Sequence, residues 1–474
     1  MLSLTAEERR GLWKEMTDAI EEYIGSVRSH RVTPNVDVAS LRAKIAEIDF
    51  VRPLAPRAAL RWVTGLLWNN QIHTPHPRYY GLFNPNPTTM GIAADAVVAA
   101  FNPQMAAWGH NPAACEIERY LIETFGGKFG YPRDSVAGSF TTAGAEANHT
   151  ALLCALVHAF PDYASGGARA LAGQPVLYVS EESHHSVVKA ARLCGIGTES
   201  VVNVPLDNDY VMDCSALARL AARDRSEGRL PFMVVATLGT TNAGVIDPIG
   251  SIADVAARES LWLHADAAWG GAAALVPELK GCIDGIERAD SITFDAHKFL
   301  SVPMGAGMFF TRHRDLPESV FAVTTDYMPL THGEPIDEPH RTTMQWSRRF
   351  TGLKLFMSLA VAGWKGYEEA IRHQTEMGEL LRDRLRESEW RVVNRTPLPT
   401  VCFVDARDAG DNSMHRLTEI VDAVVASGKA WISTTMAGGE RPVIRACVTN
   451  YATSAEDIGA LVADLDAARA GNLS

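Results

Sequence analysis

The sequence predicts an α/β protein built on a largely parallel sheet, and three observations carry that reading. Between Gly138 and Phe310, short apolar runs at 176–179, 201–204, 233–238, 261–265, 291–294 and 307–310 alternate with helical stretches. Asp266 and Lys298 stand where such runs end, which is where open parallel sheets bind ligands. No Gly-x-Gly-x-x-Gly fingerprint follows any of these runs, so a dinucleotide enzyme is disfavoured.

At 474 residues the chain exceeds one ordinary domain and has length for a large core. With 47% hydrophobic and 21% charged residues it reads as globular. A net charge of −12 argues against nucleic acid or an anionic membrane as its partner. There is no apolar run long enough to cross a bilayer, and the opening Met-Leu-Ser-Leu-Thr-Ala-Glu-Glu-Arg-Arg lacks the basic-then-apolar order of a secretion signal. The expected location is therefore cytoplasmic. Seven scattered cysteines without Cys-x-x-Cys spacing fit reduced thiols and no metal.

In chain order, Leu12, Met16, Ile20 and Ile24 give 5–27 a helical period, with Thr5 and Glu8 in capping-box register. Two more helices are expected at 37–48 and 58–67, divided by Pro53 and Pro56. The stretch 73–86 is a loop dense in aromatics and proline, whose Tyr80 and Phe83 either line a pocket or pack in a core. Past the sheet region, 313–343 reads as a long irregular segment of the kind that is often functional. A helix is expected at 367–387, a strand at 391–404, a hairpin at 432–446 turning at Gly438 and Gly439, and a closing helix at 454–470.

Four segments carry chemistry. Lys298 follows the run at 292–294 and can form an imine with an aldehyde, although a solvated loop lysine is the ordinary alternative. Asp266 ends the run at 261–265, with small Ala267 and Ala268 beside it leaving room for a flat ring. Small residues at 138–149 lead directly into a helix, so the N–H groups at Ala143, Gly144 and Ala145 can cradle an anion. His184 is placed to stack on one face of a ring while Ala268 covers the other, or else to cap a helix.

Together with Gly-Thr-Thr at 239–241, these segments resemble, in order and spacing, the group II pyridoxal-phosphate-dependent amino acid decarboxylases, the family of aromatic-L-amino-acid decarboxylase. The resemblance covers about residues 70 to 450. It implies the fold-type I architecture: an N-terminal helical layer (1–84) for dimerisation, a large cofactor domain (85–353) on a mostly parallel seven-stranded sheet, and a small C-terminal α+β domain (354–474). It implies pyridoxal phosphate held by Lys298 as a Schiff base, with Asp266 pairing the ring nitrogen, His184 and Ala268 on the ring faces and Thr241 beside it. The phosphate falls to Gly144, Ala145 and His297, and to Ser347 across the interface of a homodimer. Tyr327 takes the place of the family's loop tyrosine, the acid that returns a proton after carbon dioxide leaves. Asp295 departs from the pattern, standing where aromatic-amino-acid decarboxylases often carry an Asn bonded to phosphate. The expected reaction is decarboxylation of an L-amino acid to its amine, with Tyr80 and Phe83 leaning toward an aromatic substrate. Open alternatives are an acidic or diamino acid substrate, an aldehyde synthase or transaminase reaction on the same fold, and a non-catalytic homologue.

Overall fold

The structure, a computed structural model, describes residues 2–83, 86–323, 325, 336–407 and 412–473. Its first helix, Ala6–Ser26, starts at a capping box in which Thr5 Oγ1 accepts the Glu8 N–H and the Glu8 carboxylate accepts the Thr5 N–H. This helix and the next two, Val38–Ala46 and Pro56–Asn70, bury none of their own side chains. Trp13, Ile24, Val63 and Leu67 remain exposed on them.

The large sheet has seven strands: β1 (Ala137–Thr141), β2 (Pro175–Ser180), β3 (Val201–Val204), β4 (Leu230–Thr237), β5 (Trp262–Asp266), β6 (Ser291–Asp295) and β7 (Gly307–Thr311), in the order β1-β7-β6-β5-β4-β2-β3. Strands β2 to β6 pair in parallel. The run at 307–310, read from the sequence with the parallel set, instead forms β7 antiparallel to both β6 and β1. The link from Asp295 to Gly307 holds no crossover helix, and a parallel return needs one.

Helices cover both faces, which is why these strands read as unbroken apolar runs. Along β2, Val176 and Tyr178 enter one core while Leu177 and Val179 enter the other. Along β4, Val234 and Ala236 are split in the same way from Met233 and Val235. The C-terminal ends of β4, β5 and β6 lie together, with Thr237 opposite Asp266 and Asp266 opposite Thr293.

A second, antiparallel sheet contains β8 (Trp390–Val392), β9 (Thr400–Asp405), β10 (Ser433–Ala437) and β11 (Arg441–Cys447), in the order β10-β11-β9-β8. The hairpin turns at Gly438 and Gly439, and the expected strand at 391–404 divides into β8 and β9. The long helix Gly352–Glu387 breaks its regular backbone at Gly363. It places Leu355 and Ile371 in the large core and Leu381 and Leu385 in the small one. No helix among the described residues is long and apolar enough to cross a membrane.

Candidate active site

A cavity of about 250 Å³ opens where β4, β5 and β6 end. It is lined by Ala143, Gly144, Ala145, His184, Thr241, Asp266, Ala268, Asp295, His297 and Lys298, and also by Phe83. Residues from six separate stretches of chain thus meet at one place, all but the Phe83 loop delivered next to a strand end or helix start.

One end of the cavity is the start of the helix Gly144–Ala159, which has no side-chain cap. Among the described residues no hydrogen bond takes up the N–H groups of Gly144 and Ala145. A Cβ added at Gly144 would lie 2.9 Å from Asp295 Oδ2, 3.3 Å from Thr293 Cγ2 and 3.4 Å from Ala268 Cβ, so only glycine lets the backbone come this close. Gly239, at φ +97, turns the chain after β4 so that Thr241 faces the cavity.

Asp266 is buried, and both of its oxygens are engaged. Oδ2 accepts from Asn148 Nδ2 at 2.8 Å and Oδ1 from the Ala268 N–H at 3.2 Å. Lys298 Nζ lies 3.2 Å from Asp295 Oδ2 and 5.3 Å from the centre of the Phe83 ring. His297 Nε2 stands 3.8 Å from the same Asp295 oxygen, and Asp295 Oδ1 is buried without a hydrogen-bond partner among the described residues. The acid that breaks the family pattern is therefore turned toward the lysine. Burial pushes the pKa of His184 down against the pull of Asp266, and burial likewise lowers that of His297.

These groups fit pyridoxal phosphate: free N–H groups for an anion, a carboxylate for a ring nitrogen, a lysine for an aldehyde, and small Ala268 for the flat ring. Two sequence candidates lie away from this cavity, and a third cannot be placed against it. Tyr80 is not in the cavity. It is fully buried in the small core, pinned where its N–H reaches Trp431 O at 2.9 Å and its carbonyl accepts from Cys447 N at 2.9 Å. Ser347 is exposed and accepts from Gln104 Nε2 at 3.3 Å, away from this cavity. Tyr327 falls outside the described residues.

Sequence reasoning missed Asn148, His264, Trp269 and Arg445. Asn148 is one helical turn past Gly144 and so on the same face, while His264 is two residues before Asp266 on the same side of β5. Those spacings were the available signal. Trp269 packs against Phe83 at 4.6 Å between ring centres. Arg445 donates to Thr241 O at 2.8 Å and Gly81 O at 3.1 Å, tying the Phe83 loop to the β4 turn. No local pattern announces either residue.

Comparison with known proteins agrees with this geometry. Residues 66–405 match the pyridoxal-dependent decarboxylase conserved domain. The chain is 30% identical to an aromatic-L-amino-acid decarboxylase of Bacillus atrophaeus, over 96% of this chain and 94% of that one. It is 27% identical to a histidine decarboxylase of Mus musculus, over 95% of this chain and 69% of that one. The structure superposes on an Oryza sativa TDC holding PLP and tryptamine with a TM-score of 0.93, at 25% identity and full coverage of both chains. A match to this domain along most of the chain, with a relative 30% identical over nearly its full length, makes the protein a member of the pyridoxal-dependent decarboxylase family.

Proposed function

We propose that the protein decarboxylates an aromatic L-amino acid to the corresponding amine and carbon dioxide, as a cytoplasmic homodimer. One observation carries the substrate class: the Phe83 ring stands beside Lys298 Nζ and packs on Trp269, which in turn stacks on Phe299 at 4.9 Å. An aromatic wall next to the reacting amine favours a flat apolar side chain, each such contact adding about 0.5–1.5 kcal/mol beyond area burial. The aromatic-amino-acid and tryptophan decarboxylases among the relatives support the same choice.

Pyridoxal phosphate, when bound, supplies an aldehyde that captures an amine and a ring that takes up the electrons of the breaking Cα–carboxylate bond. Lys298 would hold the cofactor through its aldehyde. Asp266 would accept a hydrogen bond from the ring N–H, and His184 and Ala268 would flank the ring. Thr241 would stand beside the ring, while Gly144, Ala145 and His297 would hold the anionic end, joined by the partner's Ser347. Asp295 balances the lysine's charge. The partner's Tyr327 would supply the proton that the product takes up at Cα.

Dimerisation is favoured by the three N-terminal helices, which expose Trp13, Ile24, Val63 and Leu67 and bury nothing of their own. The unpaired state of all seven cysteines suits a reducing compartment. A panel of L-amino acids, scored for carbon dioxide and amine, tests the proposal. Preferred turnover of tryptophan, tyrosine or phenylalanine supports it. Preference for glutamate or a diamino acid, or an aldehyde product, overturns it. Sedimentation of the protein as a monomer overturns the dimer.

A further inference from the structure

Behind Asp266 runs a chain of buried polar groups whose donors and acceptors can be assigned end to end. Trp262 Nε1 only donates, and it reaches Ser291 Oγ at 2.9 Å. Ser291 Oγ also lies 2.8 Å from His264 Nδ1, and because His264 Nε2 faces an amide oxygen the histidine proton sits on Nε2 and Nδ1 accepts the serine proton. His264 Nε2 donates to Asn148 Oδ1 at 3.0 Å, and Thr293 Oγ1 donates to the same oxygen at 2.7 Å. The Asn148 amide nitrogen then faces two acceptors, Asp266 Oδ2 at 2.8 Å and Ser186 Oγ at 2.8 Å. Ser186 Oγ stands 2.8 Å from His184 Nδ1, which also accepts the Ser186 N–H at 3.2 Å. The reverse amide orientation would set its oxygen against the Asp266 carboxylate and take the acceptor away from Thr293 and His264, so the stated orientation is the one that satisfies these groups.

We infer that Asn148 is a positioning residue that orients Asp266 and His184 together, and that His264, Ser291 and Trp262 hold its amide in the required sense. Both of its N–H groups are spent, one on Asp266 and the other on Ser186, through which it reaches His184. Burial supports the neutral tautomers this needs, since it lowers the pKa of His184 and takes that of His264 down to about 4. The inference rests on the roles proposed above for Asp266 and His184.

The test uses the full-length protein with and without pyridoxal phosphate. In the cofactor-free wild type, ¹⁵N spectra should show His184 and His264 neutral with the proton on Nε2. A proton on Nδ1 of either ring overturns the relay without any variant being made. Asn148→Leu should weaken pyridoxal phosphate binding on the order of 10- to 100-fold, the range for losing a hydrogen bond to a charged group. That loss should vanish in the Asp266→Asn background, where no carboxylate remains to orient. Ser186→Ala should change the His184 tautomer ratio alone, and His264→Gln should retain more affinity than His264→Leu because its amide keeps a donor near the Nε2 position. Unchanged affinity in Asn148→Leu, or the same loss in both backgrounds, overturns the inference and leaves a packing role. Wild-type affinity and turnover in Asp266→Asn itself would instead overturn the role proposed for Asp266, and the inference with it.

Discussion

Replacing Gly144 by Ala tests the anion cradle with a single methyl group. The added Cβ would sit 2.9 Å from Asp295 Oδ2, closer than a carbon and an oxygen can rest. Asp295 cannot yield freely, because it is 2% exposed and its Oδ2 lies 3.2 Å from Lys298 Nζ. Either that pair opens or the first helical turn moves outward, taking the N–H groups of Gly144 and Ala145 with it. Overpacking of this kind costs about 1–3 kcal/mol. Alanine at a helical position returns up to about 1 kcal/mol relative to glycine. The cofactor-free protein should therefore lose no more than about 2 kcal/mol, a shift of a few degrees in Tm. Pyridoxal phosphate meets the full displacement and should bind about 10- to 100-fold more weakly. Fluorescence titration of the cofactor-free protein measures the affinity, and a melt without cofactor measures the stability. Wild-type affinity with an unchanged melt would refute the placement of the cradle at Gly144.

Tyr80→Phe should leave kcat and KM as they are and change stability by less than about 1 kcal/mol, since among the described residues the buried hydroxyl has no hydrogen-bond partner to lose. A KM moved several-fold would return Tyr80 to the substrate pocket. Glu118→Gln should cost about 3–5 kcal/mol in urea denaturation. Its carboxylate lies 2.6 Å from Arg348 Nη2 with both side chains buried, and it also takes the N–H groups of Thr351 and Gly352. A loss below 1 kcal/mol would mean that the pair is matched by water. Acid should weaken the fold through His264, which titrates at about 4 when buried and at about 6.5 when unfolded. Between those values the unfolded chain binds the extra proton, so stability falls with falling pH at up to about 1.4 kcal/mol per unit. Asp247, raised by burial to about 6, works in the opposite sense, because there the folded chain holds the proton that the unfolded one releases. The difference between urea curves of wild type and His264→Gln isolates the histidine. Equal slopes from pH 6.5 to 4 would refute it.

The strands that the sequence exposes best are those buried on both faces, because burial writes itself as a continuous apolar run. Strand β1 escapes that reading. Its Ala-Gly-Ser-Phe-Thr is short of large apolar residues, and the same letters serve as the approach to the anion loop. The direction of β7 escapes as well, since an apolar run carries no mark of parallel or antiparallel pairing. Only the shortness of the link from Asp295 to Gly307 decides it. Site residues at strand ends and at the helix start were legible through small, polar motifs that have few other uses in that order.

What stayed illegible depends on partners distant in the chain. Tyr80 and Phe83 are three residues apart in one aromatic loop, yet they enter different environments. Tyr80 is held by backbone bonds to Trp431 and Cys447 and so joins the small core, whereas Arg445 grips Gly81 O and holds its guanidinium 5.1 Å from the Phe83 ring. Nothing within 73–86 encodes which ring goes where, because β11 makes the choice. Asp295 shows the converse. The sequence marks it as an acid misplaced beside a phosphate, a conflict that exists only if its charge is unmatched. With Lys298 Nζ at 3.2 Å and His297 Nε2 at 3.8 Å, the charge has a partner before any anion arrives. The departure from the family pattern therefore alters how the lysine is held more than how the cradle is built.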